Sequence, residues 1–387
     1  MIKIITAYTR EANDPLKAAT EILEQLNLKD NALANSVALI FSHITFIESG
    51  VARTVCGCLP LQTLGCSSQF LAVREAADEM MLTVTVLTSN DTEFATGISK
   101  PITGKNADTP IHELYQKTAA SLGAQPSLIF AFMPVMFSLA HDAMITSLNH
   151  ACGGIPVFGA VALDIKIKTR NPKTIYLDKD YSNRMALLLF KTPSKPRFYS
   201  AFFPEKSVFA QNAFITKAEN NRIITINNEP AVSFIKKLGI LQSNENGLTS
   251  AIPLVIENHD GDEPQVVVML DINQNEELIC SVSVKTGGEL NIGVITADYV
   301  LESARILIQG IKNNPSGAGL IMFSCFLRNV VLGGKSMAEI DIVQKEMSDF
   351  PHPYLFLYSA GELCPRYLKS GKTMNRIYQY ALIACQF

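Results

Sequence analysis

Landmarks that recur about ninety residues apart constrain this chain more than any single motif. Asp14-Pro15 opens a helical stretch whose apolar stripe is Ala19, Ile22, Leu23 and Leu26. Thr109-Pro110 opens a second, with Ile111, Leu114, Tyr115, Thr118, Ala119 and Leu122 on one face and Gly123 as its stop. A small polar N-cap followed by proline is a matched helix start, and glycine a matched end. After each helix comes a near-continuous apolar run, SVALIFS from Ser36 and SLIFAFM from Ser127. Continuous apolarity predicts strands buried on both faces. A further helical stretch then leads to a strand ending in glycine, at Gly65 and at Gly159. The prolines are offset by 95 residues, the first strands by 91 and the glycines by 94. Three concordant offsets point to a tandem unit, at about residues 10–90 and 105–191. LTVTVLT (Leu82 to Thr88) and MALLLFK (Met185 to Lys191) close the two copies as strands.

A looser third copy follows. Thr296 precedes a helix carrying Val300, Ala304, Leu307, Ile308 and Ile311, and AGLIMFSC (Ala318 to Cys325) is its buried strand, entered through Pro315 and Gly317. Met337, Ile340, Val343 or Gln344, and Met347 mark the next helix, and PYLFLYSAGE (Pro353 to Glu362) the strand that ends in glycine. Residues 198–295 read mainly as β, with VVVMLDI and LICSVSV flanking a turn at Asn273-Gln274-Asn275. The expected class is α/β, with α+β as the alternative: a layered sandwich of two mixed sheets flanked by helices, built from repeated helix-strand-helix-strand units. A first domain over residues 1–226 and a second over 227–387 are expected. The second is expected to end in a helical tail after Pro365, with Tyr378 and Ala381 as contacts.

Composition excludes several function classes. With 33 basic and 36 acidic residues the net charge is −3, so no footprint of nucleic-acid binding or polybasic membrane attachment is present. The longest apolar stretch, Ser127 to Ala140, is too short to span a bilayer and carries Pro134 in its middle. Arg10 and Glu11 interrupt the N-terminus before a secretory signal could form. The eight cysteines (56, 58, 66, 152, 280, 325, 364 and 385) form no C-x-x-C pair, and His141, His150 and Cys152 fit no metal template, so packing is their reading. No cofactor motif occurs; Gly287-Gly288 and Gly333-Gly334 read as turns or helix starts. A cytoplasmic protein without membrane insertion is expected.

Polar residues interrupt the apolar strand ends in two places. FSCFLR (Phe323 to Arg328) sets Ser324, Cys325 and Arg328 at a sheet edge, and YSAGELCP (Tyr358 to Pro365) sets Ser359, Gly361 and Glu362 beside it. Ligands of open α/β sheets bind beyond strand ends. The matching ends of the earlier copies carry Gly65, Cys66, Ser67 and Ser68, and Gly159 with Asp164 beyond, where small residues admit close approach to the backbone. The ligand candidates are therefore Arg328, Glu362, Gly361, Cys325, Ser67, Ser68, Gly65 and Gly159. The bland alternative is that Arg328 and Glu362 pair only with each other.

The string FSCFLRNVVLGGKSMAEI, followed by PHPYLFLYSAGELCP, resembles the C-terminal FIST domain: a Ser-Cys, an arginine three residues on, and a closing Gly-Glu. GELNIGVITADYVLESAR (Gly288 to Arg305) is similar to the stretch before it in that family. YTREANDP, LPLQTLGCSS and VFGAVALD echo the N-terminal FIST domain. The resemblance implies a sensory module of signal transduction that binds a small ligand such as an amino acid. No kinase, cyclase, chemoreceptor or F-box segment is visible, so signalling is expected through a partner protein or a homo-oligomer.

Three readings follow. The first is a small-ligand sensor in which Arg328 clamps a carboxylate, Glu362 accepts from an ammonium and Ser67 and Ser68 add hydroxyls or amides. The second is a protein-interaction scaffold without a small ligand. The third is an enzyme using Cys325 as nucleophile, activated by Arg328 with His352 as base.

Overall fold

The computed structural model describes residues 2–104, 106–165, 171–204, 207–240, 252–258, 264–314, 317–367 and 373–387. Pro315 lies outside them. Each predicted buried strand pairs in parallel with the strand that follows the next helical stretch. Asn35–Ser42 pairs with Gln62–Ser67, Leu128–Met133 with Val157–Val161, and Leu320–Cys325 with Tyr354–Ser359. On the other side of the first strand runs an antiparallel one: Leu82–Ser89, Ala186–Lys191 or Leu382–Gln386. An outer antiparallel strand completes that flank, Lys3–Thr9, Glu93–Ile98 or Arg197–Ala201.

The remaining flank is supplied from elsewhere in the chain. The hairpin after Ser67 (Gln69–Val73 and Ala76–Asp78) joins the third sheet beside Tyr354–Ser359. The hairpin Thr174–Tyr176 and Lys179–Tyr181 joins the first sheet beside Gln62–Ser67. The hairpin Glu362–Tyr367 and Thr373–Tyr378 joins the second, beside Val157–Val161. Three six-stranded sheets of like order result, each completed by a hairpin from another part of the chain.

The inner faces of all three sheets meet in one apolar core, where the Phe41 ring stands edge-on to Phe132 at 5.3 Å and to Phe323 at 5.8 Å. Helices cover the outer faces, so the central strands of the three sheets are buried on both sides. Pro15–Leu26 starts where the sequence indicates, with the Asp14 carboxylate accepting from the Leu16 and Lys17 amides. The second helix begins at Asp108, one residue before Thr109, so Pro110 sits inside its first turn, where no intrahelical N–H is needed. Thr296 caps Ala297–Lys312 by accepting from the Tyr299 amide. Among the described residues no helix is long and apolar enough to cross a membrane.

Between Ala201 and Thr296 the chain builds a fourth, eight-stranded sheet with its own core of Ala213, Ile215, Ile223, Leu254, Val267, Leu278 and Leu290. Its hairpin at 269–280 turns where the Asn273-Gln274-Asn275 reading puts it. The architecture is the expected mixed α/β with helices layered on sheets, and the described sheets number four.

The expected helical tail is corrected. Thr373–Tyr378 and Leu382–Gln386 are strands, and the latter runs buried between Leu320–Cys325 and Arg197–Ala201. Tyr378 and Ala381 suggested helical spacing, but the run from Tyr380 to Cys385 is apolar without interruption and β-branched at Ile383. That is the signature of a doubly buried strand.

Gly65 and Gly159 serve this architecture rather than a ligand. Each lies mid-strand, and a Cβ there would stand 1.8 Å from the Ile40 carbonyl oxygen or 1.9 Å from that of Ala131. The close approach expected for a ligand is made by the neighbouring strand. Gly159→Ala is expected to force the parallel pair apart and lower stability by about 2–3 kcal/mol; an unchanged urea midpoint would contradict this packing.

Candidate functional site

Arg328 does not stand at the strand end. The strand stops at Cys325, and Arg328 lies one turn into the helix Phe326–Leu332, fully buried. Its partner is Glu339, eleven residues on, also fully buried. Nε and Nη2 donate to Glu339 Oε1 at 3.0 and 2.6 Å, Nη2 also reaches the Val300 carbonyl at 2.9 Å and Ser303 Oγ at 3.0 Å, and Nη1 reaches the Tyr380 carbonyl at 3.5 Å. Glu339 Oε2 accepts from Ser324 Oγ (3.0 Å) and the Tyr358 hydroxyl (2.8 Å). The pair ties three helices, Ala297–Lys312, Phe326–Leu332 and Ala338–Glu346, to two strands of the third sheet. A guanidinium committed in this way is not presented to a ligand carboxylate, and the pairing with Glu362 is replaced by one with Glu339.

Glu362, fully buried, has a different environment. Oε1 accepts from Ser359 Oγ at 2.8 Å, while Oε2 has no hydrogen-bond partner among the described residues. Burial holds this carboxyl well above the usual carboxylate range, which favours its protonated form. Cys325 lies alongside, its Sγ 3.9 Å from Gln379 Oε1, and burial followed by the nearby Glu362 pushes the thiol well above its ordinary value. His352 cannot serve it as base. His352 precedes the start of Tyr354–Ser359, whereas Cys325 pairs with Ser359 at its far end, about 16–20 Å away at 3.3 Å per residue.

Cys325, Ser359, Gly361 and Glu362 thus form one cluster, and Gln379 covers it: a Cβ on Gly361 would stand 3.4 Å from Gln379 Nε2. Ser67 and Ser68 belong to the hairpin crossings instead. Ser67 Oγ accepts from the Lys173 amide (2.9 Å), and Ser68 Oγ donates to the Tyr358 carbonyl (2.7 Å).

Beyond Gln379 opens a cavity of about 680 Å³ that the sequence reading missed. Its walls are the helix His141–Cys152, the strand Thr373–Tyr378, Phe202 and Phe203, and the inserted sheet at 255–258, 264–266 and 282–291. Charge enters from both sides: Lys285, Arg366 and Arg376 against Asp142 and Glu257. Asp142 Oδ1 accepts from the Ser283 amide (2.8 Å) and hydroxyl (3.1 Å), docking the helix onto the inserted sheet, and burial holds this carboxyl above its ordinary value.

Three residues bordering the cavity carry buried polar atoms without a partner among the described residues: Asn258 Oδ1, the Tyr378 hydroxyl and Gln379 Nε2. Burial pushes the Tyr378 phenol up to about 12, so it remains a neutral donor, and its ring stacks on Phe202 at 4.1 Å. The sequence signal for this wall was the two-residue alternation of Arg376 and Tyr378, a strand period obscured by reading the tail as a helix.

A polar-lined cavity between a layered α/β body and an inserted sheet is the build of a small-ligand-binding module. Family comparison makes this specific: the chain belongs to the FIST family, with the FIST N domain matching residues 36–229 and the FIST C domain residues 231–365. FIST domains are described as sensory domains that bind small ligands in signal transduction. Among curated proteins none matches. Among solved structures, cyanuric acid hydrolase from A. caulinodans aligns at 8% identity over 55% of this chain and 72% of that one, with a TM-score of 0.31. PurLQS from Thermotoga maritima aligns at 11% identity over 99% and 71%, with a TM-score of 0.18. At these scores neither likeness carries an argument.

Two outcomes test this electrostatic arrangement. Arg328→Ala and Glu339→Ala are each expected to cost about 3–5 kcal/mol by leaving a buried charge unpaired, and Arg328→Met with Glu339→Leu far less than their sum; additive losses in a denaturation cycle would contradict the pairing. For Glu362, the raised native value means that the folded state holds a proton the unfolded state releases above about 4.5. Its contribution is complete below that pH and is lost as pH rises toward the native value. Glu362→Gln is therefore expected to gain stability relative to the parent chain as pH rises above about 4.5, and parallel urea-midpoint profiles would contradict a raised Glu362 value.

Proposed function

We propose that the chain is a sensory protein whose cavity takes a small polar ligand, an amino acid being the first candidate, and that occupancy is passed to a signalling partner or a second copy. The observation that carries this reading is the trio of unpaired buried atoms, Asn258 Oδ1, Tyr378 OH and Gln379 Nε2, on residues bordering one cavity. Native folds leave few buried polar groups unpaired, and each costs about 1–3 kcal/mol. An acceptor, a hydroxyl and an amide donor on residues bordering one cavity suit a ligand that brings both donors and acceptors. The volume falls within the range of about 300–1,000 Å³ usual for small-molecule sites. For an amino acid, Lys285, Arg366 and Arg376 supply the cationic side for its carboxylate, and Glu257 with Asp142 the acidic side for its ammonium.

Transmission has a physical route. The cavity is walled by the inserted sheet on one side and by the exchanged hairpin and the helix His141–Cys152 on the other, so a bound molecule contacts both and favours the arrangement that fits it. The eight cysteines are unbridged, seven of them buried, which suits a reducing, cytoplasmic compartment.

The test is a thermal-shift screen of amino acids, small carboxylates and nucleotides, with Tyr378→Phe beside the parent chain. A ligand at 100 times its Kd adds about 2.7 kcal/mol. Tyr378→Phe keeps the stack on Phe202 and removes an unpaired hydroxyl, so it is expected to stabilise the ligand-free protein by about 1 kcal/mol and to weaken the hit about tenfold. A hit of unchanged affinity in Tyr378→Phe would place the ligand elsewhere.

A further inference from the structure

One apolar and one polar contact hold the inserted sheet to the layered body, and each includes a residue that borders the cavity, Val266 in the first and Asp142 in the second. In the apolar contact, Val266, Val268 and Leu270 pack with Cys325, Leu327 and Tyr380. The polar contact lies at the start of the helix His141–Cys152. There the His141 amide donates to the Ser281 carbonyl at 3.0 Å, and Asp142 Oδ1 accepts from the Ser283 amide and hydroxyl. Asn221 Nδ2 adds a bond to the Phe137 carbonyl at 3.3 Å.

His141 is the unexpected residue in that contact. It is fully buried, and neither ring nitrogen has a hydrogen-bond partner among the described residues. With Met144, Ile145 and Leu148 it forms the buried stripe of its helix, a position that leucine or methionine would fill without an unanswered N–H. The strands of the sheet this helix covers, Leu128–Met133 and Val157–Val161, carry no titratable side chain. On the helix Asp108–Leu122, Asp108 is held by Ser147 Oγ and Tyr115 is half-buried. The strand Thr373–Tyr378 brings Arg376 and Tyr378, the inserted sheet Cys280, Glu257 and Lys285, and the helix itself Asp142. None of these charges moves the imidazole: burial alone pushes it down from 6.5 to about 4.

A proton on His141 puts an unpartnered cation into an apolar stripe, at the positive end of a helix. The first turn relieves it by leaving, which breaks the bonds to Ser281 and Ser283. We propose that the polar contact is an acid-released latch: protonation of His141 frees the inserted sheet from the helix His141–Cys152 and opens the cavity, while the apolar contact stays closed. The inference concerns the opening of the cavity and stands whatever the cavity binds. The latch is complete above 6.5 and is lost as pH falls toward 4, so the opening equilibrium rises about tenfold between pH 7.5 and 5.5. Asp142 acts in the opposite sense. Burial holds its carboxyl above the ordinary value, so the docked state keeps a proton there and gains as pH falls.

The experiment is hydrogen exchange read by mass spectrometry on the full chain at pH 7.5 and 5.5, corrected for intrinsic rates. Segments 137–146 and 278–284 report the latch, and the strand Leu320–Cys325 reports the core beside the apolar contact. In the parent chain, protection of both latch segments is expected to fall about tenfold at pH 5.5, with the core strand unchanged. His141→Met is expected to abolish that fall, and His141→Gln, also uncharged, to do the same should the methionine variant not fold. Asp142→Asn keeps His141 and is expected to retain or enlarge the fall. Protection independent of pH in the parent chain would overturn the latch without any variant. So would an equal fall in the His141 variants, or a core strand that loses protection in step with the latch segments.

Discussion

Sheet edges are the constraint from which the rest of this structure follows. A parallel strand pair exposes backbone donors and acceptors on its flank, and a chain that leaves such a flank open invites association with other strands. Here each six-stranded sheet covers that flank with a hairpin from a different part of the sequence. The exchange locks the three sheets to one another through backbone hydrogen bonds, so the core around Phe41, Phe132 and Phe323 forms only when all three are present. It also moves the exposed edge outward by two strands. In the second sheet, that new edge is Thr373–Tyr378, and the inserted sheet stands beside it rather than pairing with it. The cavity is the gap between the two.

The buried Arg328–Glu339 pair acts on this scaffold from the third sheet. Replacing such a pair with apolar residues is often neutral, so its presence argues for a fixed arrangement more than for added stability. Glu339 is reached from Ser324 and Tyr358, on the two parallel strands, while Arg328 reaches Val300 and Ser303 on the helix over them. That network also has a consequence for Glu362. Because Arg328 is committed to Glu339, Glu362 stands without a counter-ion of its own, and desolvation decides its state.

The sequence made the strands, the helices and their succession legible because burial on both faces and helix-start chemistry are local signals. Asp14-Pro15, Thr296, and the apolar runs at Val37–Phe41 and Leu128–Met133 are examples. Strand exchange is not local. Nothing in Gln69–Val73 announces that its partner lies near residue 356, because that pairing depends on the closure of all three sheets. The site was half legible for the same reason. Cys325, Ser359, Gly361 and Glu362 come together as the strand ends imply, but the partner of Arg328 lies on a helix whose acidic residue reads as an exposed one. The cavity wall was lost with the tail: at helical spacing Arg376 and Tyr378 fall on opposite faces, whereas in the structure both border the cavity.

The unpaired atoms around that space argue about function through their cost. A fold free to optimise stability would place phenylalanine at 378, where the ring stacks on Phe202 and the hydroxyl finds no partner among the described residues. It would equally avoid an amide at 379 whose nitrogen is unpaired among them. Elsewhere in the same region polar groups are answered with care: Asn375 alone bonds Asn149, Ile155 and Val157. The contrast is the argument. Where a chain satisfies one polar residue four ways and leaves its neighbours at 378 and 379 unmet, the unmet groups mark where something other than the chain completes them.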